Sequence, residues 1–117
     1  MTTRFGLSEA IIQRLCAVLA QYPQVEQAVL YGSRATGTYR NGSDIDLALF
    51  GDDLNLQTLC KIMDAIDELM LPYSVDLVIF GQVSDPDLKA HIQQAGVVFY
   101  QRMEPPPANE AAAALNG

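Results

Sequence analysis

The sequence predicts an α/β layer fold, a small mixed β-sheet packed by helices, and three observations lead there. Short runs of strand period alternate with longer runs of helical period along most of the chain. Proline and glycine stand between these runs rather than inside them, at Pro23, Pro72 and Gly96. Half of the residues are hydrophobic, and a chain of 117 residues and 12.8 kDa is one domain of ordinary size. Area scaling gives roughly 6,300 Å² of folded surface against roughly 18,600 Å² unfolded, so about two-thirds is buried. That allows a real core and excludes an intrinsically disordered chain.

The first element expected is a helix over 8–20, where Ile11, Leu15, Val18, Leu19 and Tyr22 recur at helical spacing and Ser8 is placed to cap it. Pro23 ends that run. A strand follows over 25–31, with Val29 and Tyr31 on one face and Ala28 and Leu30 on the other. Residues 32–43 are rich in turn formers, with room for a short helix starting at Ser33. A second strand is expected over 44–50 and a second long helix over 55–70. Leu56, Leu59, Cys60, Met63, Ile66 and Met70 are its expected apolar face, with Asp64, Asp67 and Glu68 outside it. Pro72 stops the helix, and 75–80 reads as a third strand. Asp85 then caps a helix that has Pro86 at its first position, where the missing N–H costs nothing. That helix runs to Ala95 with Leu88, Ile92 and Ala95 on one face; Gly96 ends it, and 97–101 is a short final strand. The domain is thus expected over 1–103. Residues 104–117, with three consecutive prolines and four consecutive alanines, are expected to form a mobile tail.

Seven basic residues against 14 acidic ones leave a net charge of −7. Nucleic-acid phosphates would be repelled, so direct binding of DNA or RNA is not expected. A small ligand, a metal ion or a basic protein partner suits this charge better. No apolar run is long enough to cross a bilayer, and no signal-peptide core stands near Met1, which points to a soluble, cytoplasmic protein. Cys16 and Cys60 lack CxxC or Cys/His neighbours, so they are expected to be buried free thiols rather than zinc ligands. His91 reads as a surface residue without a role.

The chemistry is concentrated between Tyr31 and Leu47. Asp44 and Asp46 fall two apart in a strand, so both project from the same sheet face with Cα atoms roughly 6.6 Å apart. Two bare charges at that distance repel by about 2.5 kcal/mol at an effective dielectric of 20. Aspartate is also a poor strand former. A divalent cation between the carboxylates would turn this repulsion into a binding site, and hard oxygen donors suit Mg²⁺. Asp76 lies in another strand that is otherwise apolar, from Val75 to Phe80; if the two strands are neighbours, it joins Asp44 and Asp46. Gly32 and Ser33 stand where the first strand ends. Glycine permits a tight turn and a close ligand approach, and the Ser33 hydroxyl and nearby amides can face a phosphate. No acidic residue occurs from Gln27 to Ser43, but Arg34 and Arg40 do, which makes the local field positive, as would suit a triphosphate beside a bound metal.

Gly32-Ser33, ten intervening residues and then Asp44-Ile45-Asp46-Leu47 resembles the signature of the DNA polymerase β-type nucleotidyltransferase superfamily. The length and the run GSRATGTYRNGSDIDLALF resemble its smallest branch, the minimal nucleotidyltransferases, across residues 8–101. The resemblance implies a nucleotidyltransferase-like fold with Mg²⁺ held by Asp44, Asp46 and Asp76, and Asp76 at or beside the general base. It implies that Gly32 and Ser33 hold the phosphates of ATP, helped by Arg34 and Arg40. Many relatives carry a second arginine two residues after the first, where this chain has Thr36. The implied reaction is transfer of AMP from ATP to a hydroxyl. The implied setting is a toxin–antitoxin pair, in which the chain modifies a tyrosine of a HEPN-type ribonuclease toxin and forms a hetero-oligomer with it. Two other readings stay open at this point: an antitoxin that blocks its toxin by steric cover alone, and a stand-alone nucleotidyltransferase acting on a small molecule.

Overall fold

The structure is a computed structural model and describes residues 3–103. The tail expected over 104–117 lies outside the described residues.

The chain opens with a two-stranded hairpin, β1 (Thr3–Arg4) and β2 (Leu7–Ser8). Its two-residue loop places Phe5 at φ 59° and Gly6 at φ 74°, the left-handed pair that suits the twist of a tight hairpin. Nothing in the periodicity of so short a piece announces it. Helix α1 (Glu9–Ala20) follows, and the Ser8 hydroxyl accepts from the Ile11 amide at 3.3 Å, which is the expected cap.

Strand β3 (Gln27–Tyr31) leads into a single-turn helix, α2 (Ser33–Thr36), and then to β4 (Ile45–Phe50). Helix α3 (Leu56–Asp67) is capped by Asn55, whose side chain accepts from the Thr58 amide at 2.9 Å. Strand β5 (Val75–Ile79), a 3₁₀ turn (Phe80–Gln82), α4 (Pro86–Ala95) and β6 (Val97–Gln101) complete the fold. Asp85 caps α4 through the Asp87 amide at 2.9 Å.

The main sheet has the order β5-β4-β3-β6. Only β4 and β5 run parallel, and α3 makes that crossover; the other two pairings are antiparallel. The sheet is therefore small and mixed, as expected. One face carries Ala28, Leu30, Ile45, Leu47, Leu49, Leu77 and Ile79 against Ile12, Leu15, Val18 and Leu19 of α1 and Ile62 and Ile66 of α3. The other face carries Val29, Tyr31 and Ala48 against Ile92 of α4, with Phe50, Val78, Phe80 and Leu88 at its margin.

Three expectations need correction. Helix α3 ends at Asp67, and its buried residues are Thr58, Ile62 and Ile66. Leu56, Met63 and Met70 are 65%, 40% and 85% exposed. The helix carries more apolar residues than one face can bury, so the sheet selects the stripe and the remainder faces outward. Cys60 falls on that outward side and is exposed; Cys16 is only half-buried, its thiol 3.6 Å from the Phe99 carbonyl. Neither is the fully buried thiol expected. His91 is half-buried and hydrogen-bonded, not a free surface residue. Among the described residues, no helix is long and apolar enough to cross a membrane.

Candidate active site

Strand register brings the carboxylates together. Asp46 on β4 is the Cα partner of Asp76 on parallel β5, and of Tyr31 on antiparallel β3. In-register neighbours project from the same face of a sheet, so Tyr31, Asp46 and Asp76 stand in a row across three strands. Asp44 immediately precedes β4 and lies two residues from Asp46. The row is on the α4 side, at the end of the sheet where β3 finishes and β4 and β5 begin.

Asp46 is the inner member, half-buried, while Asp44 and Asp76 are exposed. Burial, with the charges of Asp76 and Asp44 added to it, pushes the Asp46 carboxyl above the ordinary aspartate range. Burial likewise raises the Tyr31 phenol, and Asp46 and Asp76 push it in the same direction. These effects mark the three aspartates and Tyr31 as one electrostatic unit. Among the described residues, no cation pairs with any of the three; the ion pair present, Arg4 with Glu9, lies elsewhere. Nor is any set of three His, Cys, Asp or Glu side chains, among the described residues, gathered closely enough to hold a metal ion as it stands. The three aspartates are neighbours with two exposed, rotatable members, not a closed ligand shell.

The chemistry of this donor set nevertheless fits a hard divalent cation: the carboxylates of Asp46 and Asp76 are in register on one face, and Asp44, just outside β4, is two residues from Asp46. Gly32 adds the space. It has φ 77° and ψ −156°, and a Cβ at this position would stand 2.6 Å from Oδ2 of Asp46. Any side chain here would be strained by the positive φ and would collide with the inner carboxylate. Ser33 opens α2 beside it and is half-buried.

The two arginines take different places. Arg34 is 2% exposed. Its Nη1 donates to the Phe5 carbonyl at 2.9 Å, and its Nε and Nη2 donate to the Ser43 carbonyl at 3.1 and 2.8 Å. Its guanidinium also lies over the rings of Tyr39 and Tyr73, at 5.3 and 4.8 Å. Arg34 therefore ties the hairpin turn, α2 and the residue before Asp44 together, and its side chain is not free to meet a ligand. Arg40 is exposed at a turn where its amide donates to the Ser43 hydroxyl at 2.8 Å. Thr36, which occupies the place of the second arginine, bonds back to the Gly32 carbonyl at 3.3 Å.

Two neighbours of the site escape sequence reasoning. Tyr31 enters through register with Asp46, and its position directly before Gly32-Ser33 was the available signal. His91 enters from α4, 59 residues further along the chain, its Nε2 accepting from the Gly32 amide at 3.1 Å. No local pattern around His91 could have found it.

Comparison with known proteins bears on the family and the fold. The family model described as "Polymerase beta, Nucleotidyltransferase" matches residues 13–105. No curated protein matches. Among solved structures, a chain of a toxin–antitoxin complex with AMP-PNP superposes with TM-score 0.64 at 20% identity, covering 90% of this chain and 82% of that one. A chain of the tri-AMPylated Shewanella oneidensis HEPN toxin in complex with its MNT antitoxin superposes with TM-score 0.61 at 16% identity, covering 92% and 81%. A chain of the MntA–HepT pair gives TM-score 0.60 at 16% identity, covering 93% and 82%. At these identities the likeness is one of fold.

Proposed function

The chain belongs to the polymerase beta nucleotidyltransferase family, and from that premise we propose that it transfers AMP from ATP to a tyrosine hydroxyl of a HEPN-type ribonuclease toxin, acting as that toxin's antitoxin. The observation that carries the reading is the row Asp46–Asp76, with Asp44 two residues away and Gly32 against its inner carboxylate. The fold likeness to chains of toxin–antitoxin complexes, one of them of a tri-AMPylated HEPN toxin with an MNT antitoxin, supports the choice of partner. A net charge of −7 also suits a protein acceptor better than a nucleic acid. The setting is the cytoplasm, in a hetero-oligomer with the toxin.

In this reading the acceptor oxygen attacks the α-phosphorus of ATP, its proton leaves, and pyrophosphate departs. Mg²⁺ held by Asp44, Asp46 and Asp76 would supply charge neutralisation at the triphosphate. Gly32 and Ser33 bind the phosphates, the glycine by its lack of a side chain and the serine by its hydroxyl. Asp76, exposed at the open edge of the row, is the residue an incoming hydroxyl meets, and it takes the proton. Arg40, exposed on the turn that leads to Ser43 and Asp44, is the arginine left for the outer phosphates, because Arg34 is held inside the fold. Little covalent work falls to the protein; its task is to position and to balance charge.

The test compares modification with cover. Sub-stoichiometric amounts of the chain, with Mg²⁺ and ATP, should inactivate an excess of toxin, and the toxin's intact mass should rise by whole AMP increments. Asp76→Asn should still bind the toxin and should fail to protect at low ratio. Protection that needs one antitoxin per toxin, ignores ATP and survives Asp76→Asn would leave a binding-only antitoxin.

A further inference from the structure

We propose that His91 is a positioning residue for the nucleotide end of the site, holding the Gly32–Ser33 turn against Asp46 through its ring nitrogen. The argument begins with Gly32, whose two peptide groups are both engaged. Its carbonyl accepts from the amides of Ala35 and Thr36, each at 3.1 Å, and these bonds build α2 itself. Its amide has no partner in that turn. The amide points instead across the sheet face to α4, where Nε2 of His91 accepts it at 3.1 Å. A half-buried amide without an acceptor would be unfavourable, so the histidine satisfies a group that the local chain cannot.

The ring is itself held. It stands edge-on to Tyr31, with centroids 6.2 Å apart and planes at 80°, and the next residue, Ile92, is 2% exposed in the apolar cluster under α4. The imidazole is thus fixed by a buried helix anchor on one side and an aromatic edge on the other. Through one hydrogen bond it sets the peptide plane between Tyr31 and Gly32. That plane decides where Ser33 sits and keeps the Gly32 Cα facing the inner carboxylate, close enough that a Cβ would be 2.6 Å from it. The sense of the bond also assigns the ring: Nε2 is the acceptor, so the neutral ring carries its proton on Nδ1. Among the described residues, no hydrogen bond links His91 to Asp44, Asp46 or Asp76. Its effect passes through Gly32.

This inference rests on the proposal that Gly32 and Ser33 hold a nucleotide's phosphates, and the experiment separates the two. The full chain is compared with His91→Phe, which keeps an aromatic edge and loses the acceptor, and with His91→Gln, which keeps an acceptor at similar reach. A ¹⁵N imidazole spectrum of the protein without nucleotide should show Nε2 as the unprotonated nitrogen. Calorimetric titration with AMP-PNP and Mg²⁺ should give a dissociation constant raised about 5- to 10-fold in His91→Phe, the scale of one hydrogen bond. His91→Gln should return it to within about 2-fold, because the acceptor is restored. A proton on Nε2, unchanged binding in His91→Phe, or a His91→Gln as weak as His91→Phe would each overturn the assignment. If the unsubstituted chain fails to bind AMP-PNP, the nucleotide reading falls and takes the purpose of His91 with it. The spectrum would then still decide whether the bond to Gly32 exists.

Discussion

The two faces of the four-stranded sheet share the same strands and serve opposite ends. Against α1 and α3, Ala28, Leu30, Ile45, Leu47 and Leu49 are all fully buried. One residue over on the same strands, the α4 face carries Val29 and Ala48 in its middle but Tyr31, Asp46 and Asp76 at its end. The first face removes apolar area from water and does little else. The second gives up part of that area for a row of carboxylates, the inner of which is pushed above the ordinary aspartate range by its burial and then by its neighbours' charges. A strand alternates its side chains every residue, so β4 can pack a core with Ile45, Leu47 and Leu49 while presenting Asp46 to the other side. A site built in this way is held rigidly by the core behind it.

The largest effect expected from breaking this division is on the packed face. Leu47→Ala should cost about 2 to 5 kcal/mol of stability through lost burial and a cavity, read from urea unfolding, with activity lost only as the protein unfolds. Asp46→Asn combined with Asp76→Asn should do the reverse. AMP transfer should fall roughly 10²- to 10³-fold while the unfolding midpoint holds or rises. A double variant that melts far below the parent would show the carboxylates to be structural.

Arg34→Met belongs to neither class and sharpens the comparison. It removes the donors to the Phe5 and Ser43 carbonyls and should destabilise by about 2 to 3 kcal/mol. Activity per folded molecule should fall modestly, since Ser43 adjoins Asp44.

A smaller effect lies in pH. The folded-state carboxyl of Asp46 is raised above its unfolded value, so the folded chain holds that proton more tightly. Its contribution to stability is therefore greatest in acid and is lost as pH rises through the folded value. In metal-free buffer Asp46→Asn should melt slightly above the parent at neutral pH, and the gap should close on acidification. A gap that widens in acid would contradict the sign. The smallest change is expected from Leu56→Ser on α3, within about 0.5 kcal/mol of the parent, because Leu56 is 65% exposed.

Sequence alone determined most of the elements and the spacing of the candidate residues from Gly32 to Asp46. Strand alternation separated Val29 and Tyr31 from Ala28 and Leu30, and Ser8 and Asp85 announced their caps, because these features depend on neighbours a few residues apart. The spacing of Gly32, Ser33, Asp44 and Asp46 likewise required no knowledge of the rest of the chain. Tertiary structure decided what depends on distant partners. The parallel register of β4 and β5 set Asp76 beside Asp46, where the sequence could state only a condition. Packing chose Ile62 over Met63 for the core of α3, since a helix rich in apolar residues offers more than one face to bury. Folding also placed Arg34 under two tyrosines, with its guanidinium on the Phe5 and Ser43 carbonyls, and carried His91 to the Gly32 amide. In each case the deciding partner is remote in sequence, and a side chain's chemical type does not reveal which backbone group it will meet when the chain closes.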